Sequence, residues 1–358
     1  MKKKLPAPSP DPSTYKRIVE SGLNRFSKRK KNFEKNQQKN RSVYVDCLPT
    51  SMDFEVVSRC NFRCLMCMVS EFPGGKRAAD MPFEKFEKIL NEQYGLIEIK
   101  LQGLGEPLLH PRIFDMITLA KDRDIWTRLT VNGSLLHINE NYKRLIDSDP
   151  GEIQISIDGA DEKVFESIRK GSNFKKIVEN VTNLNSYEHS KNVLKTRSWT
   201  LVQAYNIHQL KDIIQLGEQM KFRRMTFSIA ISDFATKEWH TKNKKIETDL
   251  LYFEQLADEM IDLGLKYGIE ITFWDGSSKF SLSGDLSTRC SWLWERSYIS
   301  SDLKVVPCCV ISNPDTINFG DASLLNEIWN GDKYQKIRKL HIDGNIPDFC
   351  KQCYGIKD

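Results

Sequence analysis

The stretch Ser58-Arg59-Cys60-Asn61-Phe62-Arg63-Cys64-Leu65-Met66-Cys67 follows a short β-prone run, Phe54–Ser58, and its C-x3-C-x2-C spacing delivers three thiols from one loop. Three is the informative count. A closed structural metal site takes four protein ligands, whereas an iron–sulfur cluster held by three cysteines keeps one iron open for another molecule. For the spacing taken alone, an incomplete zinc site or chance clustering is the plainer alternative.

Outward from that loop the chain alternates β-rich runs with helical stretches, as a parallel βαβ architecture requires. The expected strands are Phe54–Ser58, Ile97–Gln102, Trp126–Val131, Ile153–Ile157, Thr196–Gln203 and Met225–Ile231. Crossover helices are expected over Pro82–Gln93, capped by Asp80, and over Pro111–Lys121 and Ile207–Met220. Such a chain predicts an α/β fold, a partial (β/α)6 TIM-like barrel whose ligand loops lie at the C-terminal strand ends. Past residue 232 come a linking helix, Glu247–Tyr267, a strand, Ile269–Trp274, and a polar loop, Gly276–Ser287. The expected organisation is a basic N-terminal arm over 1–50, the barrel over 51–235, a linking helix and strand over 236–287, and a small cysteine-rich module over 288–358.

Composition narrows the function classes. With 358 residues, 40% of them hydrophobic and 28% charged, the chain reads as a soluble globular protein, and no apolar run approaches the ~20 residues of a membrane span. The basic Met1-Lys2-Lys3-Lys4 is not followed by the apolar core of a secretory signal, so a cytoplasmic location is expected. In that reducing compartment nine cysteines serve as metal ligands or catalytic thiols rather than as disulfides. Residues 1–45 hold thirteen Lys/Arg against three acidic residues, so the net charge of +5 conceals a mildly acidic body. Basic residues concentrated around Lys28-Arg29-Lys30-Lys31, instead of spread over a working face, argue against a nucleic-acid partner. They read as a solvated arm or lid, or as a contact for an acidic partner.

The other strand ends carry further motifs. Leu101-Gln102-Gly103-Leu104-Gly105-Glu106-Pro107 follows the second strand, with Glu106 placed 39 residues after Cys67. Val131-Asn132-Gly133 follows the third strand and Ser156-Ile157-Asp158-Gly159 the fourth, while Ile168-Arg169-Lys170-Gly171 lies beyond. Asn-Gly and Asp-Gly are common turn formers when met singly. In this order and with the cysteine loop, however, the set over residues 53–231 resembles the radical S-adenosylmethionine (SAM) superfamily.

That resemblance implies that Cys60, Cys64 and Cys67 hold a 4Fe–4S cluster whose open iron chelates the amine and carboxylate of SAM. Reduction by flavodoxin or ferredoxin then yields a 5′-deoxyadenosyl radical. It further implies cofactor contacts from Met66 on adenine, Gly105 and Glu106 at the methionyl ammonium, and Asn132 in the third segment. Ser156 and Asp158 would serve the ribose and Arg169 the carboxylate, with Gln203 a further contact at the fifth strand end. Leu104 departs from the family pattern, occupying the place of a glycine.

The C-terminal module holds Cys290, then Pro307-Cys308-Cys309, then Cys350-Lys351-Gln352-Cys353. A zinc site with four cysteine ligands is the plain reading of the C-x2-C pair. The segment resembles the reduced SPASM, or twitch, module, which implies a second, auxiliary 4Fe–4S cluster on Cys290, Cys308, Cys350 and Cys353. Leu303 stands where that pattern has a glycine, so an altered hairpin turn is expected. Cys309 and Cys47 are then spare thiols, with Cys309 a candidate hydrogen donor. Trp292, Trp294 and Trp329 are expected to pack one small core.

The resemblance implies hydrogen abstraction from a substrate, ending in dehydrogenation or epimerisation. Only residues 1–50 precede the first strand, short of the leader-binding domain of many peptide maturases, which favours a small sugar or aminocyclitol-like substrate. A peptide-modifying (RiPP) maturase or epimerase is the alternative. A non-catalytic binding protein stabilised by zinc at both cysteine groups is the reading from another class, and the barrel-end motifs weigh against it.

Overall fold

Polar and apolar residues alternate along β1 (Ser51–Phe54), β2 (Glu98–Leu101), β3 (Trp126–Val131) and β4 (Glu152–Ser156), a period that gives each strand two different faces. In the computed structural model, which describes residues 5–38, 41–229, 231–247, 250–276 and 279–356, these strands lie parallel and in sequence order. β5 (Thr196–Leu201), β6 (Arg224–Ser228) and β7 (Glu270–Trp274) continue the sheet in the same direction. The charged Met1–Lys4, residues 248–249 of the linking stretch and 277–278 of the polar loop lie outside the described residues.

One face of this sheet buries Met52, Phe54, Ile99, Leu101, Leu129, Ile153, Ile155, Met225 and Phe227 in the main core. The intervening positions turn Asp53, Lys100, Arg128, Gln154, Thr226 and Thr272 inward, so the barrel has a polar lumen. The barrel does not stop at the linker. β8 (Arg296–Ile299), from the cysteine-rich module, pairs parallel with the free side of β1, and β9 (Lys304–Val306) turns back antiparallel on it. Module and barrel therefore share one sheet.

Two sequence expectations need correction around β1. Its pairing covers Ser51–Phe54, not Phe54–Ser58, because Val56 and Ser58 give their carbonyls to Met81 and Arg77 of the returning segment. Asp80 caps no helix; both its oxygens hold Arg59, at 2.9 and 2.6 Å, and the helix Phe83–Glu92 starts without a side-chain cap.

The basic arm is neither a solvated tail nor a lid over the cysteine loop. It forms α1 (Pro12–Arg25) and α2 (Ser27–Gln37), packed at the N-terminal ends of the strands. Tyr15 stacks edge-on against Trp126 and donates to Glu98, and Arg25 pairs with Asp124 just ahead of β3. Arg29 is only 4% exposed and its guanidinium donates to the carbonyls of Tyr94, Arg123 and Asp124. The arm thus seals the end of the barrel opposite the thiols. Lys16, Lys28, Lys30, Lys31 and Lys35 keep solvated positions.

The β8–β9 turn keeps a left-handed residue where a glycine was expected: Leu303 has φ 63°. The hairpin holds it there through hydrogen bonds from Leu303 N–H to Ser300 O and from Ala322 N–H to Leu303 O. The three tryptophans are buried but divide among three separate clusters, because the module packs against β8, the arm and the barrel at once.

Candidate active site

The cysteine loop leaves β1 and is pinned on both sides. Arg63–Cys64 form a two-residue ladder with Arg169–Lys170, and Leu65 N–H donates to Ile168 O at 3.0 Å. Cys60 N–H donates to Gly75 O, and Arg63 donates to the carbonyls of Cys60, Phe62 and Gly74. The fold therefore presets the loop before any cofactor arrives.

Cys64 is buried, and Cys60 and Cys67 are partly so. Burial pushes Cys60 and Cys67 up to about 11 and Cys64 up to about 12, and the charges of neighbouring cysteines add to each rise. Donors nevertheless face two of the sulfurs: Phe62 N–H lies 3.4 Å and Asn132 Nδ2 3.9 Å from Cys60, and Arg169 Nη1 lies 3.9 Å from Cys64. Buried thiols that need a cation to ionise, ringed by donors to sulfur, fit an iron–sulfur cluster, whose potential such hydrogen bonds set. Among the described residues, no three His, Cys, Asp or Glu side chains are arranged to hold a single metal ion.

The other sequence-singled residues gather at the same strand ends. Gly105 passes so close to the segment after β1 that a Cβ there would stand 2.3 Å from Val57 O. Glu106, 2% exposed, accepts from Leu108 N–H at 3.2 Å and from Asn132 N–H at 2.8 Å, clasping the loops after β2 and β3 together. Its burial pushes the carboxyl up to about 7. Asp158 forms a buried ion pair with Arg169 at 2.7 Å and accepts from Leu201 N–H, so the two face each other instead of acting apart. Met66 packs into the main core, Ser156 ends β4, and the fully buried Gln203 has neither amide atom bonded within the protein.

The second group of thiols sits in the module. Burial first, then neighbouring thiols push all four upward, Cys290 and Cys353 to about 12: Cys308 acts on Cys290 and Cys350, Cys309 and Cys353 on Cys308, and Cys290 and Cys309 on Cys353. These thiols are neighbours, each partly buried, and Tyr354 accepts from Cys290 N–H at 2.9 Å. Cys309 acts on Cys308 and Cys353 and also neighbours the lumen: after burial, the largest influence on it is Asp53, followed by Lys100. Cys47 lies far from either group, beside Leu293 and Trp294 under α2.

Sequence reasoning missed a hub between these parts. Glu55, fully buried, accepts from Leu104 N–H at 3.2 Å, from Ser301 N–H at 2.9 Å and from Arg77 at 2.9 Å, while Arg77 also pairs with Asp302 at 2.8 Å. One carboxylate joins the Gly-Leu-Gly-Glu loop, the segment after the cysteine loop and the hairpin of the module. Only pairing across 246 residues reveals it.

A partial barrel with a three-thiol loop at its mouth and a four-thiol module docked beside it defines the class of the protein. The family model for the Radical SAM superfamily matches residues 54–217, and that for the SPASM iron–sulfur cluster-binding domain matches residues 290–354. The chain belongs to the radical SAM superfamily and carries a C-terminal SPASM module; its cofactors are SAM and two 4Fe–4S clusters, one SAM-binding and one auxiliary.

Among curated relatives, a tungsten-containing aldehyde ferredoxin oxidoreductase cofactor-modifying protein of Pyrococcus furiosus is 35% identical over 29% of this chain and 29% of its own. The mycofactocin maturase MftC of Mycobacterium ulcerans is 25% identical over 48% of this chain and 45% of its own. The chain thus spans less than half the length of either. SuiB of Streptococcus suis, solved bound to its precursor peptide SuiA, shares the fold, with TM-score 0.65 and 18% identity over 86% of this chain and 70% of SuiB. Among the described residues, no helix is long and apolar enough to cross a membrane.

Proposed function

We propose that the protein cleaves SAM reductively and removes a hydrogen atom from a substrate lodged in the barrel lumen, with a flavodoxin or ferredoxin as electron donor. The preset loop of Cys60, Cys64 and Cys67, with donors aimed at its sulfurs, carries this reading. When bound, the cluster and SAM supply the 5′-deoxyadenosyl radical. The protein's own part is to hold three thiolates, exclude water and orient. Asp158 fixes the Arg169 guanidinium beside Cys64, Glu106 locks two cofactor-facing loops, and Gln203 offers an unspent amide. Cys290, Cys308, Cys350 and Cys353 hold the auxiliary cluster as electron acceptor, and Cys309 is left as a thiol able to return a hydrogen atom.

For the substrate class, the names of the relatives support a peptide: MftC is a maturase and SuiB was solved with a precursor peptide. A second reading, a sugar or aminocyclitol-like small molecule undergoing dehydrogenation or epimerisation, draws support from the enclosed, charged lumen. Incubating the reduced, cluster-loaded enzyme with SAM and deuterated candidates separates them. Deuterium passing into 5′-deoxyadenosine from a peptide, with loss of that deuterium and one further hydrogen from the peptide, supports maturation; transfer from a deuterated cyclitol alone supports the second reading. Transfer from neither class overturns both.

A further inference from the structure

The lumen is not uniformly satisfied. At its lower rung Glu98 accepts from Ser51 at 2.7 Å and pairs with Arg296 at 2.7 Å; Glu152, in register with Arg128 and Lys100, pairs with Arg197 and Arg224. One rung above Glu98, Asp53 stands in register between Lys100 on β2 and Tyr298 on β8. Asp53 and Tyr298 are each 1% exposed, and neither oxygen of Asp53 nor the hydroxyl of Tyr298 has a hydrogen-bond partner in the protein. Lys100 Nζ lies 3.8 Å from Asp53 Oδ2, a charge contact beyond hydrogen-bond length. Leaving such atoms bare inside a protein is costly, most of all for a charge. Three in one rung mark the place of something else.

Gly103 packs directly against this rung. Above Tyr298 lies Gly103, where a Cβ would stand 2.6 Å from the phenolic oxygen and 2.5 Å from Glu55 Cβ. Only glycine fits this close to that oxygen. Cys309 packs in the same apolar cluster as Tyr298, so the rung borders the module's spare thiol.

The donors and acceptors select the chemistry of the guest. A carboxylate only accepts and an ammonium only donates, whereas an alcohol oxygen does both. An oxygen at about 2.8 Å from each closes a triangle over the Asp53–Lys100 pair, at ordinary hydrogen-bond lengths. An amine satisfies only Asp53, and a carboxylate satisfies only Lys100. We propose that Asp53, Lys100 and Tyr298 form a substrate subsite that recognises an alcohol: its hydroxyl donates to Asp53 and accepts from Lys100, and a neighbouring oxygen meets Tyr298. This rests on the lumen being the substrate site of the radical enzyme, and names the group that the lumen reads. The alcohol belongs either to a polyhydroxylated small molecule or to a seryl side chain of a peptide.

Calorimetric titration of the cluster-loaded, SAM-bound but unreduced full chain tests this without turnover. The probes are myo-inositol against the set of monodeoxyinositols, and a serine-containing pentapeptide against its alanine counterpart. In one of the two sets the hydroxylated probe should bind at least tenfold more tightly than a counterpart lacking one hydroxyl; the responding set identifies the source. Asp53→Asn and Tyr298→Phe should each weaken that probe tenfold or more. Tyr298→Phe removes only an atom without a protein partner, so it keeps the test open if the charged substitution prevents folding. Equal binding of hydroxylated and deoxygenated probes, no binding in either set, or variants that change thermal stability alone overturns the proposal, the last being what a rung filled by structural water predicts. Failure of the radical-enzyme reading shows separately, as a reduced wild-type protein that yields no 5′-deoxyadenosine.

Discussion

Arg169 Nη2 stands 2.7 Å from Asp158 Oδ2, and Nη1 of the same guanidinium lies 3.9 Å from the sulfur of Cys64. The pair is buried, with the Asp158 side chain fully enclosed, so removing one charge strands the other. Breaking a buried pair of this kind costs about 3–5 kcal/mol. Asp158→Asn should therefore lower the urea unfolding free energy of the cluster-free protein by about 3 kcal/mol. It should also weaken SAM binding by freeing the guanidinium from its position beside the thiol.

The Glu55–Arg77–Asp302 chain offers a contrast within one network. Glu55 and Arg77 are enclosed, whereas the Asp302 side chain is 34% exposed. Arg77→Met leaves a buried carboxylate without its cation and should cost about 3 kcal/mol or more, while Asp302→Asn should cost under about 1 kcal/mol. Denaturation of the two variants side by side checks the ordering; equal losses would mean that the hub is solvated.

Glu106 gives a pH signature. Burial holds its carboxyl up to about 7 against the hydrogen bonds it accepts from Asn132 and Leu108, while an unfolded glutamate titrates near about 4.3. Folded protein then binds the extra proton between those values. The contribution is fully present below the window and is lost as pH rises through it, by on the order of 3 kcal/mol. Unfolding of the cluster-free protein from about pH 4.5 to 7 should show this downward slope, and Glu106→Gln should flatten it.

Arg29 anchors the N-terminal helices by donating to three carbonyls at the base of the barrel. Arg29→Ala leaves those carbonyls without a donor and should destabilise the protein by about 2 kcal/mol. Lys30→Ala, on the solvated face of the same helix, should be neutral within about 0.5 kcal/mol. Thermal unfolding of the two variants distinguishes a structural seal from a loose tail.

Much of the site was legible because its signals are local. The spacing of Cys60, Cys64 and Cys67, the turn at Gly105-Glu106 and the Ser156-Ile157-Asp158 run each lie within a few residues, at strand ends that periodicity marks. The alternation of Asp53 and Lys100 with Met52, Phe54, Ile99 and Leu101 was equally present in the letters, yet it announces a polar lumen only once the strands are known to close. The place of the basic arm was not legible, since Arg29 and Tyr15 find their partners on β-strand starts far along the chain. Nor was the hub at Glu55, whose partners Arg77, Leu104 and Ser301 come together only in the folded sheet. Leu303 was visible in the letters as the residue at the family's glycine position, whereas its left-handed backbone shows only in the fold.

The most direct test of a SAM-cleaving cluster on Cys60, Cys64 and Cys67 is 5′-deoxyadenosine formation by oxygen-free, iron- and sulfide-loaded protein given dithionite. Wild type should carry about eight irons and release 5′-deoxyadenosine. The triple serine variant at these positions should lose about four irons and all product, while Cys290→Ser should lose iron from the module but still cleave SAM. Product from the triple variant at the wild-type level, or none from fully loaded wild type, would contradict the assignment.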